Sequence, residues 1–291
     1  MKVAVIGPGA MGCLFAVQLA CGGNKVCLVD HREDRAERLD KAGITVEDAS
    51  GSVVEKLHVV SQVPTGQDLL LVMTKAYSTG KLRFPPETPV LTLQNGLGNV
   101  ETLCSLVGSP RVLAGTTAEA STLLGEGHIR HAARGVTRFG AWTSCNCDAI
   151  LAMFRDAGFE AELTDSPGQA IWEKVAMNAG INPLSALLGY ATGRLVEVRK
   201  VRELMRDLVV EAAKVASTEG YRFEYSLVEA AEMMCRDTAD NISSMLQDVR
   251  ANKRTEIEAI SGEILRRAQL ASLPVPRTRV IYQLLRGLES R

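Results

Sequence analysis

Lys174, Asn178 and Asn182 stand four residues apart within the stretch from Trp172 to Pro183, so on a helix they form one row with only slight drift. Val175, Ala176, Met177, Ala179 and Ile181 lie around that row and suit burial. A core helix would fill the row with aliphatic groups, because an unpaired buried ammonium or amide is heavily penalised. A cation and two amides in this setting point to a bound ligand, with the N-terminal half of the chain bringing a cofactor to it. The competing explanation is a solvated helix face that carries Lys and Asn. Downstream, Asn241 and Ser244 are three apart and share a helix face. Glu256 follows Thr255, with Ile257 and Ile260 beyond it. Taken alone, Ser244 and Glu256 suit surface or capping positions better than a site, and Thr255-Glu256 suits a helix start.

A second set of residues suits phosphate rather than proton chemistry. Gly7-Pro8-Gly9-Ala10-Met11-Gly12 lies between the apolar run Val3–Ile6 and a helical pattern through Leu14, Phe15, Val17, Gln18 and Leu19. Gly22-Gly23 stops that pattern, and Lys25–Val29 is a second apolar run ending in Asp30. The whole is a βαβ unit of about 30 residues, the context in which G-x-G-x-x-G carries weight. The first glycine permits the tight turn, the second lets backbone approach a pyrophosphate, and the third lets helix pack on sheet. The helix N-terminus then offers N–H groups and partial positive charge to the phosphates.

The elements that must position these residues follow from hydrophobic period. Residues 34–41 form a charged surface helix; Ile44–Glu47 and Val53–Val60, joined through Asp48-Ala49-Ser50-Gly51, form a surface hairpin. The strand 68–74 delivers Lys75 at its C-terminal end, and the strand Val90–Gln94 delivers Asn95-Gly96-Leu97-Gly98. In open parallel sheets ligands bind beyond those ends, so Gly7–Gly12, Lys75 and Asn95 share one sheet edge. Val112–Leu124, Ile129–Arg134 and Val136–Gly140 suit antiparallel strands, followed by a helix at 147–157 and a strand Phe159–Thr164. After Ser166-Pro167-Gly168 strand signals vanish. Val201, Leu204, Met205, Leu208, Val209, Ala212, Val215 and Ala216 mark one helical stripe, and 226–252, 255–272 and 275–289 give three more helices. The expected architecture is α/β: a Rossmann-type dinucleotide-binding domain over 1–165 and an all-α domain over 166–291.

Composition narrows the class. A chain of 291 residues suits two domains, and 46% hydrophobic with 23% charged content is ordinary for a globular enzyme. A formal net charge of -1 gives no field to attract nucleic acid or anionic lipid. The seven cysteines lack regular spacing, which suits reduced thiols in a cytoplasm. Cys145-Asn146-Cys147 and His128-x-x-His131 find no completing ligands, so no metal site is expected. The opening apolar run is cut by Gly7-Pro8-Gly9, and no run reaches the ~20 residues of a membrane span. A soluble cytoplasmic protein with a small-molecule substrate is expected, with a homodimer left open.

Gly7–Gly12, Lys75-Ala76, Asn95–Gly98, Lys174–Leu184, Asn241–Arg250 and Thr255–Ile257 together resemble ketopantoate reductase (2-dehydropantoate 2-reductase) over nearly the whole chain. The resemblance implies NADPH-dependent reduction of 2-dehydropantoate to (R)-pantoate in pantothenate synthesis, in a Rossmann domain followed by a helical domain with the active site in the cleft between. It implies that Lys174 is the general acid and that Asn178, Asn182, Asn241 and Ser244 bind substrate. Glu256 matches the acid that reaches the substrate hydroxyl and the cofactor end and holds Lys174 charged. Asn95 matches the residue between nicotinamide and substrate. The cofactor set is Gly7, Pro8, Gly9, Ala10, Met11, Gly12, Asp30, His31, Arg32, Lys75, Asn95, Ala120 and Glu256.

Two departures bear on specificity. Thr192 stands where the family often has Asn, so a shorter hydroxyl meets the far end of the substrate. Asp30 favours a free ribose 2′-OH, hence NAD, whereas Arg32 follows it and Lys75 matches a residue near the 2′-phosphate; NADP is expected, with NAD open. The rivals are a related two-domain NAD(P)-dependent reductase of another 2-keto or 3-hydroxy acid, and a non-catalytic NADP-binding sensor.

Overall fold

The structure, a computed structural model, describes residues 1–49 and 51–290. Their contacts form two compact units, one of residues 1–94 with 99–168 and one of 95–98 with the chain from Gln169 onward.

Unit 1 contains, in order, β1 (Lys2–Ile6), α1 (Ala10–Cys21), β2 (Lys25–Val29), α2 (Glu33–Ala42), β3 (Ile44–Asp48), β4 (Gly51–Glu55), β5 (His58–Val60), β6 (Leu69–Val72), β7 (Val90–Thr92), α3 (Asn99–Val107), β8 (Val112–Thr117), β9 (Ala120–Gly125), β10 (His128–Ala133), β11 (Thr137–Ala141), α4 (Asp148–Asp156) and β12 (Ala161–Leu163). The main sheet runs β12-β11-β8-β7-β6-β1-β2-β5, parallel except where β11 meets β8. β1, β6 and β7 are buried on both faces, which is why they are continuous aliphatic runs. Strand order reverses between β1 and β6, so the ends of these two strands flank the switch point at which doubly wound sheets bind ligands. Phe15 of α1 stacks on Phe159 at 4.5 Å and meets Phe154 edge-on at 5.9 Å, tying α1 to α4.

A second sheet, β4-β3-β10-β9, completes unit 1. The expected hairpin forms as β3 and β4, with Asp48 opposite Gly51; Ser50 in its turn lies outside the described residues. Its second arm, expected to run to Val60, ends at Glu55. Leu57 and Val59 are drawn into the core and β5 pairs with β2, whereas Val53 and Val54 stay exposed on β4. The run Val112–Leu124 likewise divides, β8 joining the main sheet and β9 the small one. The break falls at Ala118-Glu119, where Glu119 turns inward to meet His131 of β10 at 2.6 Å.

The helical unit is built from α5 (Pro167–Leu188), α6 (Thr192–Glu197), α7 (Arg199–Thr218), α8 (Leu227–Asp237), α9 (Ser244–Arg250), α10 (Glu263–Leu270) and α11 (Pro276–Glu289). α5 is apolar on most of its circumference and runs through Pro183. α7 presents Met205, Leu208, Val209, Ala212, Val215 and Ala216 to the core, the stripe expected from their spacing. The single helix expected over 226–252 is two, α8 and α9, separated at 238–243. Ser243 starts the second by accepting from Leu246 N at 3.1 Å. A π-helical turn over Glu258–Gly262 leads into α10, a feature that often accompanies functional positions. Among the described residues no helix is long and apolar enough to cross a membrane.

Candidate active site

The glycine-rich turn between β1 and α1 has the shape its sequence requires. Gly7 has φ +109°, and a Cβ there would lie 2.8 Å from Thr74 Cγ2; a Cβ on Gly12 would lie 1.9 Å from the Gly7 carbonyl oxygen. A Cβ on Gly9 would meet no protein atom within 4 Å. Gly9 is also the N-cap of α1, which has neither a side-chain cap nor an acid in its first turn. The turn thus offers open space against a helix N-terminus free of competing carboxylates, and a dinucleotide pyrophosphate fits it. Pro8 is buried there, and Ala10 and Met11 are partly so.

Asp30 ends β2 with its carboxylate fully buried (0% exposed). Arg35 of α2 holds both oxygens, through Nε to Oδ2 and through Nη2 to Oδ1 at 2.9 Å, while Arg32 N donates to Oδ1 at 3.2 Å. His31 and Arg32 are exposed. Arg32 lies 3.8 Å from Asp34 and 3.9 Å from Glu126. Arg35 was not singled out by the sequence, because α2 reads as one run of charges. Its spacing, five residues after Asp30 and so about one helical turn into α2, was the available signal.

Lys75 follows β6 and is partly exposed. Its backbone is steadied by Gln94, whose Nε2 donates to the Thr74 carbonyl at 2.8 Å and to Thr79 Oγ1 at 2.9 Å. Thr92 Oγ1 donates in turn to Gln94 Oε1 at 3.0 Å. Buried and fully engaged, Gln94 is a second residue the sequence did not mark. Ala120 opens β9 opposite Ala133. Just before it, the buried Glu119–His131 pair pins that strand to β10.

In the helical unit Lys174, Asn178 and Asn182 occupy successive turns of α5, Lys174 and Asn178 partly exposed and Asn182 buried. Although the residue keeps some exposure, its ammonium end is enclosed by protein; that burial pushes it down to about 8, and the charge of Glu256 partly offsets the shift. Glu256 is only 8% exposed and precedes the π turn. Glu256 thus lies close enough for its charge to act on Lys174. Residues 95–98 cluster with this unit, Leu97 N donating to the Ala259 carbonyl at 2.7 Å, so Asn95 opens a loop docked on the π turn. Ser244, the first residue of α9, and Asn241, just before it, are exposed.

Thr192 sits differently. It is 5% exposed, and its Oγ1 donates to the Thr238 carbonyl, so the hydroxyl expected to meet substrate is engaged by the protein. An aliphatic groove of about 930 Å³ between α5, α7 and α11 contains none of these residues. Among the described residues no group of three or more His, Cys, Asp or Glu is placed to hold a metal ion.

Comparison with known proteins agrees over the length of the chain. The model of "Ketopantoate reductase PanE/ApbA" matches residues 3–144, and that of its C-terminal domain matches 168–289. A 2-dehydropantoate 2-reductase of Halobacterium salinarum is 35% identical, with 98% of each chain covered. Among solved structures, a PanE/ApbA family ketopantoate reductase from Ralstonia eutropha JMP134 superposes with a TM-score of 0.90 at 32% identity, covering 100% of this chain and 99% of the other. D-mandelate dehydrogenase, in a complex with NADH and anilino(oxo)acetate, superposes with a TM-score of 0.92 at 25% identity, covering 100% and 98%. A glycine turn shaped for a dinucleotide, a helical unit with a lysine–glutamate pair, and family matches to both parts have one outcome: the chain belongs to the ketopantoate reductase family of NAD(P)-dependent oxidoreductases.

Proposed function

We propose that the chain reduces 2-dehydropantoate to (R)-pantoate with NADPH, as in pantothenate synthesis, and that Lys174 is the proton donor. The observation that carries the proposal is the Lys174–Glu256 pair. A desolvated ammonium near 8 is protonated at neutral pH yet gives up its proton readily, as a general acid must. When bound, NADPH supplies the hydride that reaches the keto carbon. Lys174 stabilises the charge developing on the keto oxygen and delivers the proton that completes the hydroxyl. Glu256 keeps Lys174 charged and oriented. Asn178 and Asn182, on the same row, hold the rest of the keto acid, with Asn241, Ser244 and Asn95 completing the polar set.

For the cofactor, Gly7–Gly12 would hold the pyrophosphate and Arg32 and Lys75 the 2′-phosphate, with Ala120 a further cofactor contact. The Asp30–Arg35 pair favours NADPH, because the carboxylate that would repel a 2′-phosphate is buried and neutralised. A second substrate remains in view: Thr192 offers less to the far end of ketopantoate, and the structurally similar D-mandelate dehydrogenase carries NADH and a different oxo acid. Steady-state rates on ketopantoate and a panel of 2-keto acids, each with NADPH and NADH, decide between them. Lys174→Ala should lower turnover by about 10²–10⁴-fold and leave NADPH binding nearly intact. Equal loss of both would mean a damaged fold. NADPH binding without turnover of any acid would favour a sensor.

A further inference from the structure

The first turn of α6 is fastened to the turn that carries Asn241. Thr192 N donates to the Asn241 carbonyl at 3.0 Å, and Gly193 N to the Ala239 carbonyl at 2.9 Å. Thr192 Oγ1 donates to the Thr238 carbonyl and lies 3.3 Å from Thr238 Oγ1, which itself donates to the Met234 carbonyl at the end of α8 at 2.7 Å. Asn241 N closes the turn onto the Thr238 carbonyl at 2.8 Å. The approach is close, since a Cβ on Gly193 would lie 2.7 Å from the Ala239 Cβ. On the far side Ser243 caps α9, and Gln247 Nε2 donates to the Ile242 carbonyl at 2.9 Å. Segment 238–243 is thus held at both ends, with the Asn241 and Ser244 side chains left exposed.

We propose that Thr192 is a positioning residue, which fixes this turn and acts on keto-acid binding through Asn241 without touching the substrate. The inference rests on the assignment of Asn241 to the substrate made above. To donate to a ligand, the Thr192 hydroxyl would have to give up its bond to the Thr238 carbonyl, and with it a side-chain tie between α6 and the turn. The one proton the hydroxyl can donate is already engaged inside the protein, and the residue is 5% exposed.

The test is a double-mutant cycle of Thr192→Val and Asn241→Ala, with Thr192→Ser as the conservative variant and the full-length protein throughout. Thr192→Val should raise KM for the keto acid about tenfold, the size of one lost buried hydrogen bond. kcat and the Kd for NADPH should change little, and Thr192→Ser should recover most of the loss. The double variant should be no worse than Asn241→Ala alone; additive losses would mean that Thr192 meets the substrate directly and overturn the proposal. If ketopantoate is not reduced, the acid turned over fastest replaces it, so failure of the functional assignment is seen in the wild type. Independently of any substrate, hydrogen exchange of the residue 238–241 amides should quicken in Thr192→Val and not in Thr192→Ser. Unchanged protection in Thr192→Val would also overturn the proposal.

Discussion

At the scale of single residues, the Lys174–Glu256 pair makes a signed prediction about pH. Burial lowers the lysine to about 8 and Glu256 pulls against that shift. With Lys174 as the proposed proton donor, reduction would need the ammonium, so its kcat/KM should hold at neutral pH and fall above about 8; oxidation of the alcohol would need the free amine and should rise over the same range. Glu256→Gln removes the upward pull, so both limbs should move to lower pH while the lysine remains. Limbs that stay in place would show that Glu256 does not act on Lys174. A second residue-level prediction concerns Arg35. Arg35→Met leaves the Asp30 carboxylate without its guanidinium; with Asp30 facing the ribose as proposed, the ratio of kcat/KM for NADPH over NADH should fall by about tenfold, measured by paired steady-state assays. The Lys174 row was legible because helical period exposes a polar line on an apolar helix. Arg35 was not, because nothing local distinguishes it from Arg32 and Arg38; only the buried carboxylate it reaches does.

At the scale of elements, α11 is anchored at both ends. Its N-terminus is capped from α7, where buried Glu211 accepts from Arg277 N at 3.0 Å, Thr278 N at 2.8 Å and Thr278 Oγ1 at 2.7 Å. Near its C-terminus Glu289 accepts from Thr255 N at 2.7 Å, and Arg286 bridges Glu289 and Glu258. The helix therefore fixes the entry to the segment that carries Glu256. Glu211→Ala strands the buried backbone and hydroxyl donors of Thr278, with the part-buried Arg277 N beside them, and should lower stability by about 2–3 kcal/mol in urea unfolding. Glu289→Ala should cost less stability and instead disturb the pH profile of reduction, since it frees the residue before Glu256. The helical character of α7 and α11 was plain from their stripes. The split between α8 and α9 was not, because the polar and apolar alternation continues across 238–243. Ser243 and Ser244, good N-cap residues ahead of an apolar pair, were the signal for a new start.

At the scale of the whole chain, the sequence announces a βαβ unit and a helical remainder, and both are present. What it hides is that residues 95–98 cluster with the helical unit though unit 1 residues flank them on both sides. No local pattern could reveal this, because the cause is a contact with Ala259, far along the chain. Gly96 has φ +90°, and a Cβ there would lie 2.6 Å from both the Ala259 Cβ and its carbonyl oxygen. Gly98, at φ +84°, would place a Cβ 3.4 Å from the flexible end of Glu263. Both alanine variants meet the left-handed backbone penalty of about 1–2 kcal/mol. Only Gly96→Ala also forces backbone apart, which adds about 1–3 kcal/mol. Gly96→Ala should therefore be clearly less stable than Gly98→Ala in thermal unfolding, and should lose more turnover, because the displaced loop carries Asn95 with it. If the two variants match in both measurements, the contact with Ala259 does not hold the loop, and Asn95 must be placed by its own strand.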